Sequence, residues 1–245
     1  MEARVVMAIL NFGSFRRLAK PAEHGYTLFL VTLLALMVIG PIARHYGYGE
    51  ISTVLLISLM LLAGLRPVTR RRQKLGVVVL LATAAMLVNW LIFATDWDWL
   101  SRVGREITCI LFFGVVGAMM LRDILSRGGN VSWPLINGAL SVYLLLGVVF
   151  SFVLSLLETW QPGSFLGADK FTGGDFSDFS YLSFVTLTTL GYGDITPANP
   201  VAGSVLTLEA VSGQIYLTVL VARLVGMNIS AQAAPQRDPG LAVED

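Results

Sequence analysis

The feature that most limits this chain is a succession of six apolar segments, separated by short charged stretches, at 27–43, 51–65, 75–95, 107–121, 135–157 and 201–225. Each approaches the roughly 20 residues an α-helix needs to cross a bilayer. The pattern predicts an all-α membrane protein with six transmembrane helices. The uncharged runs at 51–65 and 107–121 have 15 residues. At about 1.5 Å of rise per residue they fall short of the ~30 Å hydrocarbon core. They must borrow 46–50 and 103–106 from their flanks to cross. Composition agrees: 55% of the chain is hydrophobic and 13% charged, with a mean hydropathy of +0.72, whereas soluble domains carry about 25% charged residues. A net charge of +1 from 17 basic and 16 acidic residues gives no reason to expect nucleic acid or an acidic substrate. One cysteine, Cys109, excludes an intrachain disulfide framework, and two histidines, His24 and His45, leave little for a zinc site.

Basic residues set the orientation. An N-terminus in the cytoplasm places Arg66, Arg70, Arg71, Arg72, Lys74, Arg122 and Arg127 inside, and only Arg44, Arg102, Arg105 and Lys170 outside. Both termini are then cytoplasmic. Trp97, Trp99, Trp133 and Trp160 fall at expected span ends, as an aromatic belt requires. The basic region before the first span (Arg4, Arg16, Arg17, Lys20) resembles the start of a signal peptide. No small-residue cleavage site and soluble domain follow it, so the span is read as retained. An interfacial helix over 5–15 and a frayed terminus fit the preceding residues about equally.

Between the fifth and sixth spans lies a polar, Gly-rich piece (158–174), and then an apolar stretch at 177–188 that is too short to cross. It ends in Thr189, Leu190, Gly191, Tyr192, Gly193 and Asp194. A short helix that enters and turns back is tolerated at membrane depth only where protein buries it or water lines it. That predicts a re-entrant pore helix.

Ion selectivity needs oxygens that replace the hydration shell, and rings of backbone carbonyls supply them for potassium. Carbonyls on successive residues point one way when the backbone alternates between right- and left-handed conformations, which glycine permits. Gly191 and Gly193 flank Tyr192 at that alternation. The Thr189 hydroxyl can add an innermost ligand ring, and the Tyr192 ring can pack outward. Asp194 would stand at the outer mouth, where a carboxylate ring concentrates cations.

The run from Ser183 through Thr186, Thr188 and Thr189 to Asp194, Ile195, Thr196 and Pro197 resembles the pore helix and filter of the tetrameric potassium-channel superfamily. Leu190 stands where valine is commoner, and Val185 where some members place a carboxylate. The resemblance extends over about 135–226. It implies a homotetramer with K+ sites at Thr189, Leu190, Gly191 and Tyr192, and no cofactor beyond the permeant ion. Gly213 matches the glycine at which the family's inner helix bends. Close helix packing is the competing account of it. Gln214, Leu217, Val221 and Val225 recur at helical spacing and would face the cavity.

Glu209 lies about two turns into the last span. At ~100° per residue it points away from Gln214, toward the pore helix or a neighbouring subunit. A brace on the filter and a structural acid are the two readings. Arg223 reads as a snorkelling residue.

Six spans with one pore loop resemble voltage-gated channels, but here Arg102 and Arg105 are followed by Thr108, Leu111 and Gly114. At about 2.3 kcal/mol per charge per 100 mV, two interfacial arginines predict weak or absent voltage dependence. An intramembrane aspartyl protease of the GxGD type needs a second aspartate within a span, and Asp96, Asp98 and Asp123 all lie at span ends. A non-selective cation channel would be expected to break the Gly-Tyr-Gly alternation. The expected organisation is a cytoplasmic segment at 1–26, a four-span peripheral domain at 27–127, a pore domain at 128–227 and a disordered cytoplasmic tail at 228–245. The tail offers no ligand-binding domain. The expected location is a plasma membrane, and for so compact a chain a bacterial inner membrane, with lipid as partner and no nucleic acid.

Overall fold

The computed structural model describes residues 21–68, 72–94, 99–126, 132–168 and 176–233. Six long helices carry most of these: α1 (Pro21–His45), α2 (Gly49–Val68), α3 (Arg72–Ala94), α4 (Trp99–Ser126), α5 (Trp133–Trp160) and α7 (Pro200–Ala233). The short α6 (Phe176–Leu187) lies between the last two. Helix α4 extends through 103–106, the flank its short apolar run needed, whereas α2 begins at Gly49 and takes in only the last two residues of 46–50. Four helices contain stretches long and apolar enough to cross a membrane: Gly25–Ala43, Arg102–Ser126, Trp133–Trp160 and Pro200–Met227. In α2 and α3 the apolar stretches are shorter, Ile51–Leu65 and Val78–Leu91. The all-helical architecture with several such helices is that of a membrane protein.

Helix α1 begins at Pro21, a favoured residue for a first turn because its missing N–H is not needed there. At the other end one expectation is corrected. The tail was expected to lose order at 228, yet α7 continues to Ala233. No proline interrupts 228–233, and the first one downstream is Pro235. The interfacial stretch 5–15, the rest of 1–20 and 234–245 lie outside the described residues, as do Arg70, Arg71, Asp96, Trp97, Asp98, Arg127 and Lys170.

Helices α1 to α4 pack in sequence, and both α1 and α4 lie against α5. Their core is continuous with that of the last three helices. Phe112 meets Phe113 edge-on at 5.0 Å, Phe113 stacks on Phe152 at 6.0 Å, and Phe152 lies 4.4 Å from Phe176. Lipid tails are as apolar as these side chains, so close packing rather than exclusion of water holds such helices together. Small residues therefore mark the crossings. A Cβ on Gly64 would crowd Phe112, one on Gly117 would crowd Leu145, and one on Gly147 would lie 2.7 Å from the Phe184 ring. The outward faces are apolar too, with Val31, Val38, Leu55, Leu80 and Leu87 exposed. Trp133 and Trp160 sit exposed at the two ends of α5.

Two strands not foreseen from sequence, β1 (Phe165–Leu166) and β2 (Thr196–Pro197), pair antiparallel, with Phe165 opposite Pro197 and Leu166 opposite Thr196. They close a second apolar cluster of Leu154, Phe165, Phe179, Leu182, Ile195 and Ala202. Asn199 caps α7, its Oδ1 accepting from the Ala202 amide at 2.9 Å.

Candidate functional site: the loop after α6

Helix α6 is wedged between α5 and α7, with Phe179, Leu182, Ser183, Phe184, Val185 and Leu187 buried. Its last carbonyls fold the following segment beneath it. Thr188 N and Oγ1 both donate to the Phe184 carbonyl, Thr189 N donates to Thr186 O at 2.9 Å, and Leu190 N to Val185 O at 2.9 Å.

Beyond this turn the backbone alternates. Thr189, Gly191 and Gly193 have φ of 59°, 58° and 74°, while Leu190 and Tyr192 keep negative φ. For the two glycines the left-handed region carries little steric penalty. Thr189 is the only non-glycine residue with positive φ among those described, a conformation that costs on the order of 1–3 kcal/mol and persists where its surroundings fix it. Residues 188–193 are all exposed, Leu190 at 56% and Tyr192 at 66%. The outer end is tied back: the Tyr181 hydroxyl donates to Asp194 Oδ2 at 2.6 Å, and the Ile195 amide to Asp194 Oδ1 at 3.1 Å.

The inner end rests on α5 and α7. Tyr143 donates to the Leu187 carbonyl at 3.2 Å, and its ring stacks on that of Tyr216, whose hydroxyl donates to Ala139 O at 2.6 Å. Gly213 faces Leu187 directly, and a Cβ there would lie 2.7 Å from Leu187 Cδ1 and 3.0 Å from its carbonyl oxygen. Close packing thus has a concrete partner at this position, within a helix that runs unbroken past it. Gln214, Val221 and Val225 are exposed on α7 and Leu217 is half-buried.

Glu209 is fully buried and in hydrogen-bond contact, through Oε1, with Ser183 Oγ of α6. Its side chain therefore faces α6 rather than the chain's exterior. Arg223, expected to snorkel, instead donates from Nη2 to the Ile124 and Leu125 carbonyls at the end of α4, at 3.2 and 2.6 Å. The last-turn carbonyls of a helix lack intrahelical donors and carry partial negative charge, which accounts for the attraction.

Sequence reasoning missed several partners. Glu106 on α4 is buried, accepts from Ser155 of α5 at 2.5 Å and lies 4.0 Å from the Arg105 guanidinium. The signal was available: the fourth span could reach bilayer length only by borrowing 103–106, which carries an acid into the helix. Tyr181 and Gly147 had no comparable signal, because their partners are distant in sequence. Among the described residues no group of three or more His, Cys, Asp or Glu could hold a metal ion.

Residues 138–229 match the ion channel family. A stretch of 95 residues is 32% identical to the inward rectifier potassium channel Kirbac3.1 of Paramagnetospirillum magnetotacticum, covering 37% of this chain and 28% of that relative. The match thus spans little more than a quarter of the relative's length. No solved structure matches. Residues 138–229, which hold α6, the loop after it and most of α5 and α7, are thus the part of the chain that is similar to ion channels.

Proposed function

We propose that the chain is one of four identical subunits of a channel that passes K+ selectively down its gradient. The observation that carries this reading is the alternating backbone of Thr189, Gly191 and Gly193, set at the end of a buried helix yet exposed outside the chain's own core. A ring of carbonyls requires such alternation. Exposure is what a strand facing an axis shared with other copies requires. In this reading K+ occupies sites built from Thr189, Leu190, Gly191 and Tyr192, and Asp194 gathers cations at the mouth. Gln214, Leu217 and Val221 line the cavity, where Gly213 adds a hinge to its packing role. Helices α1 to α5 and α7 span the membrane with both termini in the cytoplasm, α6 is re-entrant, and lipid wets the outer faces.

The relative's identity as a potassium channel favours K+ over other cations. Weak voltage dependence follows from the fourth helix, where Arg102 and Arg105 are the only arginines before Arg122 and Arg105 lies beside Glu106. Recording from the purified protein in planar bilayers under K+/Na+ bi-ionic conditions tests the reading. A reversal potential far from zero is expected, and equal permeability to the two ions would overturn it.

A further inference from the structure

Ser183 Oγ stands 2.7 Å from the Gly147 carbonyl oxygen of α5 and also contacts Glu209 Oε1 of α7. A serine hydroxyl has one proton, and a carbonyl oxygen has none to give. The proton on the line from Ser183 to Gly147 is therefore the serine's own. The contact with Glu209 needs a proton as well, since two oxygens in hydrogen-bond contact must have one between them. Only the Glu209 carboxyl remains to supply it, and an ionised carboxylate is an acceptor alone.

We propose that Glu209 is held as the neutral acid and acts as a hydrogen-bond donor. It heads a chain from Glu209 to Ser183 to the Gly147 carbonyl that positions α6 against α7 and α5 at once. The proposal deepens the channel reading, in which α6 is the helix that carries the filter.

Independent geometry agrees. Glu209 Oε2 has no hydrogen-bond partner among the described residues, and Glu209 makes no ion pair there. The titratable groups on the elements packed against α7 are engaged elsewhere. Tyr143 is bonded to Leu187 O, Glu158 to the Gly163 and Phe165 amides, and Tyr181 to Asp194. Asp178 lies in the first turn of α6. On α7 itself, Arg223 reaches the end of α4. A buried carboxylate with one oxygen unpartnered and no cation beside it is a poor arrangement, whereas a neutral carboxyl leaves only a carbonyl oxygen unpaired. The chain can reach Gly147 because the glycine admits the Phe184 ring against its Cα. Ser151 Oγ donates to the same carbonyl at 2.8 Å.

The test uses the full-length protein in lipid nanodiscs, with infrared difference spectra between wild type and Glu209→Gln. The expected result is a carbonyl stretch of a protonated carboxylic acid in the wild type that is lost in the variant. A lost carboxylate stretch instead would overturn the proposal. Substitution gives a second readout. The amide of Glu209→Gln can still donate to Ser183, so its inactivation rate should stay within about twofold of wild type. Glu209→Leu and Ser183→Ala, which break the chain, should inactivate roughly three- to tenfold faster. A Gln variant as impaired as the Leu variant would also overturn the donor role. Loss of K+ selectivity in the wild type would sink the channel reading and leave the infrared result intact.

Discussion

The Tyr181 hydroxyl donates to the Asp194 carboxylate at 2.6 Å while the Tyr181 ring lies parallel to that of Tyr192, 6.4 Å between centroids. One residue of α6 thereby touches both Asp194 and the aromatic ring between Gly191 and Gly193. Tyr181→Phe keeps the ring contact and removes the hydroxyl. The loss is worth about 1 kcal/mol for a partly exposed bond to a carboxylate. The expected outcome is faster loss of current at low external K+ with unchanged K+/Na+ selectivity, measured in single-channel records at stepped K+ concentrations.

Gly213 offers a test of packing. An added methyl would meet Leu187 Cδ1 at 2.7 Å and its backbone oxygen at 3.0 Å. The side chain can swing aside but the carbonyl cannot, so Gly213→Ala should destabilise by about 1–3 kcal/mol. Gly114, where a Cβ would meet nothing within 4 Å, supplies the control, and Gly114→Ala should be neutral or stabilising by up to about 1 kcal/mol. Thermal unfolding of both variants in detergent, followed by tryptophan fluorescence, checks the contrast.

Arg223 joins the far end of α7 to the last carbonyls of α4. Arg223→Gln removes a charged donor from two acceptors and should cost about 1.5–3 kcal/mol. Arg223→Lys can satisfy one or both carbonyls with a single ammonium and should recover part of the loss. The unfolding midpoints of the two variants, ranked against wild type, decide it.

Voltage should move this protein little. Arg105 lies 4.0 Å from Glu106, which is in turn bonded to Ser155 of α5, so a displacement of α4 would have to break that contact. Conductance–voltage curves should give an apparent gating charge below about one per subunit. Arg105→Gln should leave their slope unchanged.

How much of this was legible beforehand depended on the range of the interaction. Apolar runs between charged stretches located the six long helices, because a run of that kind is visible residue by residue. The left-handed positions at Gly191 and Gly193 were legible because glycine is the residue that adopts them easily. Thr189 shares that conformation without any such mark. The contacts around it were hidden. Nothing local in the sequence links Tyr143 to Leu187, Tyr216 to Ala139 or Arg223 to Leu125, and each depends on how helices distant along the chain happen to cross. Glu209 falls between these cases: its angle on α7 pointed it toward the pore helix, but Ser183 as its partner required coordinates.

The two-residue pairing of β1 with β2 gives the segment between α5 and α7 a particular topology. Phe165 lies opposite Pro197, and the Ala198 amide donates to Ser164 O at 2.8 Å, so the strands at either end of the segment holding α6 and the loop after it lie side by side. Such a segment is a cassette with adjoining ends. The pairing joins the chain just after α5 to the chain just before α7, so a change in the length of the segment between them has to be taken up within that segment.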